Sequence, residues 1–331
     1  MAERDARATF TAAVDALAAQ LRHDTSILAA ILGGSLAHDT VWARSDVDLV
    51  LITIDEVKVS EEGVSLYADG VNVHAMMITR TAFRRLVQGA VQNSFMHSFL
   101  AKGRLLYTHD QTIAQLCETL HALGGRDREL QLLRAAIGAL APLYKAHKWL
   151  ITRGDLDYTA LWLLYTATPL AQIEVIAAGR IAGREVIPDA LALNPTVFKT
   201  IYTDLLHQPV TRARVEAALA AVDRYLADRT PSLFAAVFTY LREAGDARGC
   251  SEIEHHFSRT LGVGGVTAAC EYLADQKLIG KVSLPVRLTK KSTIAVQELA
   301  FVHLQPAMDA LDPPSDDTWE PQGHRPSVKR P

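Results

Sequence analysis

Two short patterns in the first third of the chain have residue types and spacing that could do chemistry. Gly33-Gly34-Ser35 closes the apolar run Ser26 to Leu32 and opens a short helix. Free backbone N–H groups and a hydroxyl then face outward at a place that suits a phosphate. Eleven positions after Ser35, Asp46 and Asp48 lie two apart at the head of the strand-like run Val47 to Ile54. A period of two puts both carboxylates on one strand face, with Val47 and Leu49 on the other. Such a pair is costly unless it meets solvent or a cation, and paired Mg²⁺ ions would remove the cost. The plain alternative is a tight turn at Gly33-Gly34 and an Asp46 that caps an edge strand. Arg44 and Ser45, just before the first Asp, are placed to line the same site. Arg80, Arg84, Arg85, Lys102 and Arg104 follow on helix and loop. One or two of them suit bidentate anion contacts, and the rest read as solvated charge.

The elements that must position these residues are legible as hydrophobic patterns. Phe10, Val14, Leu17 and Leu21 form a helical stripe within Met1 to Asp24 that does not read as a secretory segment. Short apolar runs punctuated by glycine, ending with Val71 to Ile78, then indicate an α/β unit up to about Asp110. Residues 127–229 change to long Ala- and Leu-rich helices such as Glu129 to Leu150 and Val210 to Leu226. Thr230-Pro231 reads as an N-cap followed by proline at the first helical position, opening a third unit over 230–311. There, Ser251 to Leu261 and Val266 to Leu273 form a helix, turn and helix. Val282, Leu284, Val286 and Leu288 alternate with polar residues as a half-buried strand, and a second strand returns through Ile294 and Val296. Three helices and a hairpin describe a winged helix. Residues 312–331 form a polar, proline-rich tail expected to be disordered.

Composition bounds the function classes. The chain has 331 residues, 49% of them hydrophobic, and 34 Lys+Arg against 37 Asp+Glu give a net charge of −3. No global positive field draws it to nucleic acid or anionic lipid, so any such contact is local. Cys117, Cys250 and Cys270 are far apart without a Cys-x-x-Cys pair, which argues against a disulfide framework and a zinc site and fits a cytoplasmic location. The most apolar stretch, Leu161 to Ile176, contains Pro169 and Glu174 and falls short of a bilayer span, so no membrane association is expected.

A Gly-Ser turn followed by an Asp-x-Asp strand resembles the signature of the nucleotidyltransferase superfamily of polymerase beta. In that superfamily the turn holds a triphosphate, and the Asp pair binds two metals that align a hydroxyl for in-line attack on the α-phosphorus. The resemblance implies nucleotide binding at Gly33, Gly34 and Ser35 with Arg44 and Ser45 alongside, and Mg²⁺ (or Mn²⁺) at Asp46 and Asp48. Many members supply a third carboxylate from a later strand, and the matching run here is Val71-Asn72-Val73-His74. Asn72 stands where that acid is expected, and an amide offers neither charge nor basicity. His74, on the same strand face, is the alternative base, with a hydrogen-bonded structural role as its rival. Glu61, Glu62 and Asp69 are further acids in turn-like surroundings.

The phrases YKAHKWLITRGDLDY and LAQIEVIAAGRIAGREVIPDALALNPTVFKTIYTDLL in the middle of the chain are similar to a bacterial nucleotidyltransferase-like family, the YgxA-like group. The likeness covers almost everything but the tail. It implies an α+β architecture: a polymerase beta-like nucleotidyltransferase domain over 1–126, an all-α substrate-binding domain over 127–229 and a winged helix over 230–311. Tyr144, Lys145, His147, Lys148, Arg153, Asp155, Asp157 and Tyr158 make a polar, aromatic-flanked patch that serves either to present the acceptor or merely as a helix end with its loop. Trp162 and Tyr165, three apart, read as core. In the third unit Thr267, Glu271 and Asp275 on the second helix disfavour phosphate contact, whereas Lys281, Arg287, Lys290 and Lys291 put positive charge on the hairpin for DNA or a protein partner.

Two functions from different classes stay open at this level. One is a metal-dependent transferase that binds a nucleoside triphosphate and moves its nucleotidyl group to a hydroxyl acceptor. The other, favoured by Asn72, is a catalytically degenerate nucleotide sensor that acts through the winged helix. A third, an antibiotic nucleotidyltransferase for aminoglycosides, draws only on Asp155, Asp157 and Glu174.

Overall fold

The computed structural model describes residues 3–37, 41–42, 44–55, 63–88, 99–120, 125–183 and 185–304. Helix α1 (Glu3–Leu21) precedes strand β1 (Ile27–Gly33), the single turn α2 (Gly34–Ala37) and strand β2 (Val47–Thr53). Strands β3 (Val64–Ala68) and β4 (Val71–Thr79), helix α3 (Arg80–Gln88), strand β5 (Arg104–Thr108) and helix α4 (Gln111–Thr119) complete the first unit. The sheet order is β3-β4-β2-β1-β5, with β2 and β4 parallel and the other neighbours antiparallel.

Alternation along β2 sorts its side chains between two layers. Val47, Leu49 and Leu51 pack with Phe10, Val14 and Leu17 of α1, and Val50 and Ile52 pack with Phe83 of α3 and Ile113 of α4. Both faces are therefore covered along most of the strand, and its one charged residue, Asp48, stands near its start on the α3 and α4 side.

The rest of the chain is mostly helical. Helices α5 (Gly125–Arg153) and α6 (Leu156–Ala177) pack along each other, turned by Gly154 at φ 63 and capped by Asp155, whose carboxylate accepts from Tyr158 N at 2.9 Å. Then come α7 (Val186–Leu193), α8 (Pro195–Phe198), a π-helical turn (Lys199–Thr203), α9 (Asp204–His207) and α10 (Arg212–Leu233). The last segment runs α11 (Ala235–Ala244), β6 (Arg248–Gly249), α12 (Cys250–His255), a second π-helical turn (His256–Thr260), α13 (Val266–Asp275), β7 (Ile279–Val286) and β8 (Val296–His303). Its three strands are ordered β6-β8-β7. One apolar cluster joins Leu140 of α5, Leu163 of α6, Leu226 of α10, Leu241 of α11, Leu273 of α13 and Phe301 of β8.

Four sequence readings change. Thr230-Pro231 does not start a helix: α10 runs through both to Leu233, and the Thr230 hydroxyl donates to Leu226 O at 3.0 Å. Burial of Leu226 and Leu233 in the common core holds the helical path against the preference of a pre-proline residue for extended backbone. The apolar alternation of the hairpin is half-buried only in part. Leu284 and Val286 are half-buried between exposed neighbours, whereas Val282 is 41% exposed, Leu288 and Ile294 lie beyond the strands at 75% and 73%, and full burial is found only at the base at Ile279, Ala300 and Phe301. Tyr165 is exposed rather than core, while Trp162 is half-buried. The apolar stretch around Leu161 belongs to a 22-residue helix, long and apolar enough by length and composition to cross a bilayer, half of whose most apolar window is inside the protein. The tail lies outside the described residues.

Candidate active site

The glycine corner is built by close approach. Gly33, the last residue of β1, is paired with Asp48 of β2. Gly34 follows with φ 64, in the left-handed region, and a Cβ on it would lie 2.0 Å from Asp48 Oδ2. Only glycine admits the carboxylate there. A Cβ on Gly33 would lie 2.1 Å from the tip of the Phe99 ring, so a larger residue there would displace that ring. Ser35 is half-buried within α2, against the start of β2.

Register brings a second set of groups to Asp48. Parallel pairing of β2 with β4 places His74 opposite Asp48, and antiparallel pairing of β3 with β4 places Ser65 opposite His74. Asp46, one residue before β2, has its Oδ2 3.3 Å from His74 Nε2, and both side chains are 54% exposed. His74 Nδ1 is 3.4 Å from Ser65 Oγ. Asp48, Ser65 and His74 share an open cleft of about 260 Å³ with apolar walls from Val50, Met76 and Phe99. That volume lies just below the ~300–1,000 Å³ of small-molecule sites. Asn72 is exposed opposite Tyr67 and does not line the cleft, so His74, not Asn72, is the β4 residue brought to the acids.

The remaining candidates divide by position. Arg104 pairs with Leu32 and so sits with Lys102 at the Gly33 end of the sheet. Arg80, Arg84 and Arg85 lie on α3 beyond the opposite end of β4, about 20 Å of strand from His74, and Arg80 is held by Asp110 at 3.5 Å. Arg44 and Ser45 belong to a turn in which Ser45 N donates to Trp42 O and Ser45 Oγ accepts from Trp42 N at 3.1 Å, so that hydroxyl is committed locally. Asp69 occupies the β3–β4 turn at φ 47, and Glu61 and Glu62 lie outside the described residues. Lys281, Arg287, Lys290 and Lys291 are exposed on the C-terminal hairpin and its connection.

The polar patch of the helical layer splits as well. Asp155 serves as a helix cap, while Tyr144 and His147 line a separate cleft of about 480 Å³ with Asp223, Tyr272 and Asp275. His147 Nε2 is 3.0 Å from Asp223 Oδ1, and this hydrogen bond raises the imidazole above its usual range. Burial, helped by the nearby acids, pushes the Tyr144 phenol up to about 12. Trp149, Tyr158, Trp162 and Tyr165 meet edge to face in sequence along α5 and α6.

Ser65 and Phe99 line the cleft with no mark of residue type in the sequence. Asp69-Gly70 was the available signal for Ser65. An Asp-Gly pair with φ 47 and 81 is the two-residue hairpin turn that fixes register, and counting back from Ala68 opposite Val71 gives Ser65 opposite His74. Phe99 has no comparable mark.

Among the described residues no group of three His, Cys, Asp or Glu side chains is close enough to hold a metal unaided. A pair of carboxylates beside serine hydroxyls is nevertheless a hard oxygen set, and Mg²⁺ is commonly held by one or two carboxylates together with a substrate's phosphates. The fixed seat of Asp48 against Gly34 meets that requirement.

No family model and no curated protein sequence matches the chain. Among solved structures, a nucleotidyltransferase-like protein from Exiguobacterium sibiricum 255-15 superposes with a TM-score of 0.63 at 17% identity, over 89% of this chain and 99% of that one. At that identity the likeness is one of fold, and it runs through the sheet and the helical layers alike.

Proposed function

We propose, from the nucleotidyltransferase-like fold and the Gly34–Asp48 corner, that this protein binds a nucleoside triphosphate with Mg²⁺ or Mn²⁺ and transfers its nucleotidyl group to a hydroxyl acceptor. Asp46 and Asp48 hold the divalent ion, and Gly33, Gly34 and Ser35 bound the triphosphate. When bound, the ion neutralises the phosphates and favours in-line displacement at the α-phosphorus. His74 takes up the proton of the attacking hydroxyl, and Val50, Met76 and Phe99 shield one side of the cleft from water. The observation that carries the reading is the close approach of Asp48 to Gly34, a contact that requires glycine at the position where the superfamily keeps one. Incubation with α-labelled ATP, CTP, GTP or UTP, Mg²⁺ and a cell extract tests it. Label moves to an acceptor in the wild type and falls about a hundredfold or more in Asp48→Asn, a change of some 3 kcal/mol or more. Absence of transfer with all four triphosphates refutes it.

One observation favours a second reading. Asn72 is neutral and lies outside the cleft, whose lining supplies one carboxylate, Asp48, with Asp46 beside it at His74. In this reading nucleotide occupancy is sensed, and the α11–β8 segment, ordered as a winged helix, carries the response through Lys281, Arg287, Lys290 and Lys291 to DNA or a protein partner. Nucleotide binding without transfer, together with salt-dependent DNA binding lost on changing those four residues to Ala, distinguishes it.

A further inference from the structure

The β3–β4 hairpin places an alcohol in the cleft that the reading above leaves unused. Ser65 Oγ lies 3.4 Å from His74 Nδ1, and His74 Nε2 lies 3.3 Å from Asp46 Oδ2. A carboxylate can only accept, so in the neutral ring the proton belongs on Nε2 and the lone pair on Nδ1, directed at the Ser65 hydroxyl. This is the logic of an activated serine: a hydroxyl, an imidazole that takes its proton, and an acid that fixes the imidazole. Both contacts are longer than the ~2.6–3.2 Å of an engaged base, as is common before a substrate draws such groups together. Ser65, His74 and Asp48 all line the same 260 Å³ cleft, and Asp48, which abuts Gly34, joins that cleft to the glycine corner assigned to the triphosphate.

We propose that Ser65 is a nucleophile and that the protein transfers a nucleotidyl group onto Ser65 of its own chain. The proposal rests on the reading of this cleft as a triphosphate site. Ser65 Oγ forms a bond to the α-phosphorus, the bond from that phosphorus to the oxygen bridging the β-phosphorus breaks, and pyrophosphate leaves. The serine proton passes to His74 Nδ1 while Asp46 holds the proton on Nε2, and solvent then takes the surplus proton. The product is a phosphodiester between Ser65 and the nucleoside, with no change of oxidation state. His74 and Asp46 act through Ser65.

Two measurements on the full chain test this. With Mg²⁺ and each triphosphate, intact-mass spectrometry is expected to show a gain of one nucleotidyl group, mapped to Ser65 by peptide sequencing and absent in Ser65→Ala. If calorimetry shows triphosphate bound but no such mass appears, or the mass maps elsewhere, the inference is overturned while the nucleotide site stands; if no triphosphate binds, both fall. Without metal or nucleotide, an alkyl fluorophosphonate probe offers the same phosphorus electrophile. It is expected to label Ser65 alone, about a hundredfold more slowly in His74→Gln. No labelling, or labelling undiminished in His74→Gln, overturns the inference. Ser65 and His74 are both exposed, and unchanged melting temperatures of the variants separate lost reactivity from lost fold.

Discussion

Replacing Gly34 by Ala tests how firmly the corner is built, and Gly70 supplies a matched control. Both glycines have left-handed backbone, φ 64 and φ 81, so alanine at either meets the same strain of about 1–2 kcal/mol. A Cβ at Gly70 meets nothing within 4 Å, whereas at Gly34 it lies 2.0 Å from Asp48 Oδ2 and 2.9 Å from its Cγ. The Asp48 side chain must swing away, adding about 0.5–1.5 kcal/mol if it leaves its rotamer by some 30°. Urea unfolding should therefore give Gly70→Ala a loss of about 1–2 kcal/mol and Gly34→Ala about 1.5–3.5 kcal/mol. Any gain from a stiffer unfolded chain is common to both and cancels in the difference. Calorimetry supplies the second readout: Mg²⁺-dependent triphosphate binding weakens at least tenfold in Gly34→Ala and is unchanged in Gly70→Ala. Equal destabilisation of the two variants with equal affinity would refute the reasoning, because Asp48 would then not be seated on Gly34.

Other expectations concern the frame around the site. Tyr225, almost fully buried, donates to Glu174 Oε2 at 2.7 Å, so Tyr225→Phe should cost about 1.5–3 kcal/mol in denaturant unfolding, the worth of a hydrogen bond to a charged group. Asp110 caps α4 by accepting from Thr112 N at 2.9 Å, and Asp110→Ala should cost about 1 kcal/mol near neutrality. Hydrogen bonds from Thr112 hold the Asp110 carboxyl below its usual range, so its contribution is present above about pH 4 and fades as acid protonates the folded form. His147 has the opposite sign. Its pKa is raised by the hydrogen bond to Asp223, so that stabilisation is complete below about pH 6.5 and is lost as pH rises through the folded value. Melting temperatures between pH 5 and 9 should show that loss in the wild type and not in Asp223→Asn.

Much of the site's frame was legible because it rests on local patterns. The apolar run into Gly33-Gly34 became β1 and the corner, the alternation from Val47 became β2, and Val71 to Ile78 became β4 within a residue. What sequence spacing does not give is which residues face each other across strands. Asn72 matches the expected third acid by motif, yet the register puts His74 opposite Asp48 and Ser65 opposite His74. Arg80 and Arg104 look equivalent as cations in sequence but are placed at opposite ends of the sheet by strand direction. Thr230-Pro231 carries a good local start signal, and tertiary burial on either side of it overrides that signal. The hairpin beyond Ile279 shows a clean period of two whose apolar face is covered at Leu284 and Val286 only in part and at Leu288 hardly at all, since alternation reports a sidedness and not a partner.

The most direct measurement is a calorimetric titration of the full chain with a non-hydrolysable triphosphate, with and without Mg²⁺, alongside Asp48→Asn. Saturable binding at one site that requires the metal and is abolished by Asp48→Asn is the expected result. Binding that ignores the metal, or that survives in Asp48→Asn, contradicts the assignment of this strand and glycine corner as the seat of the nucleotide.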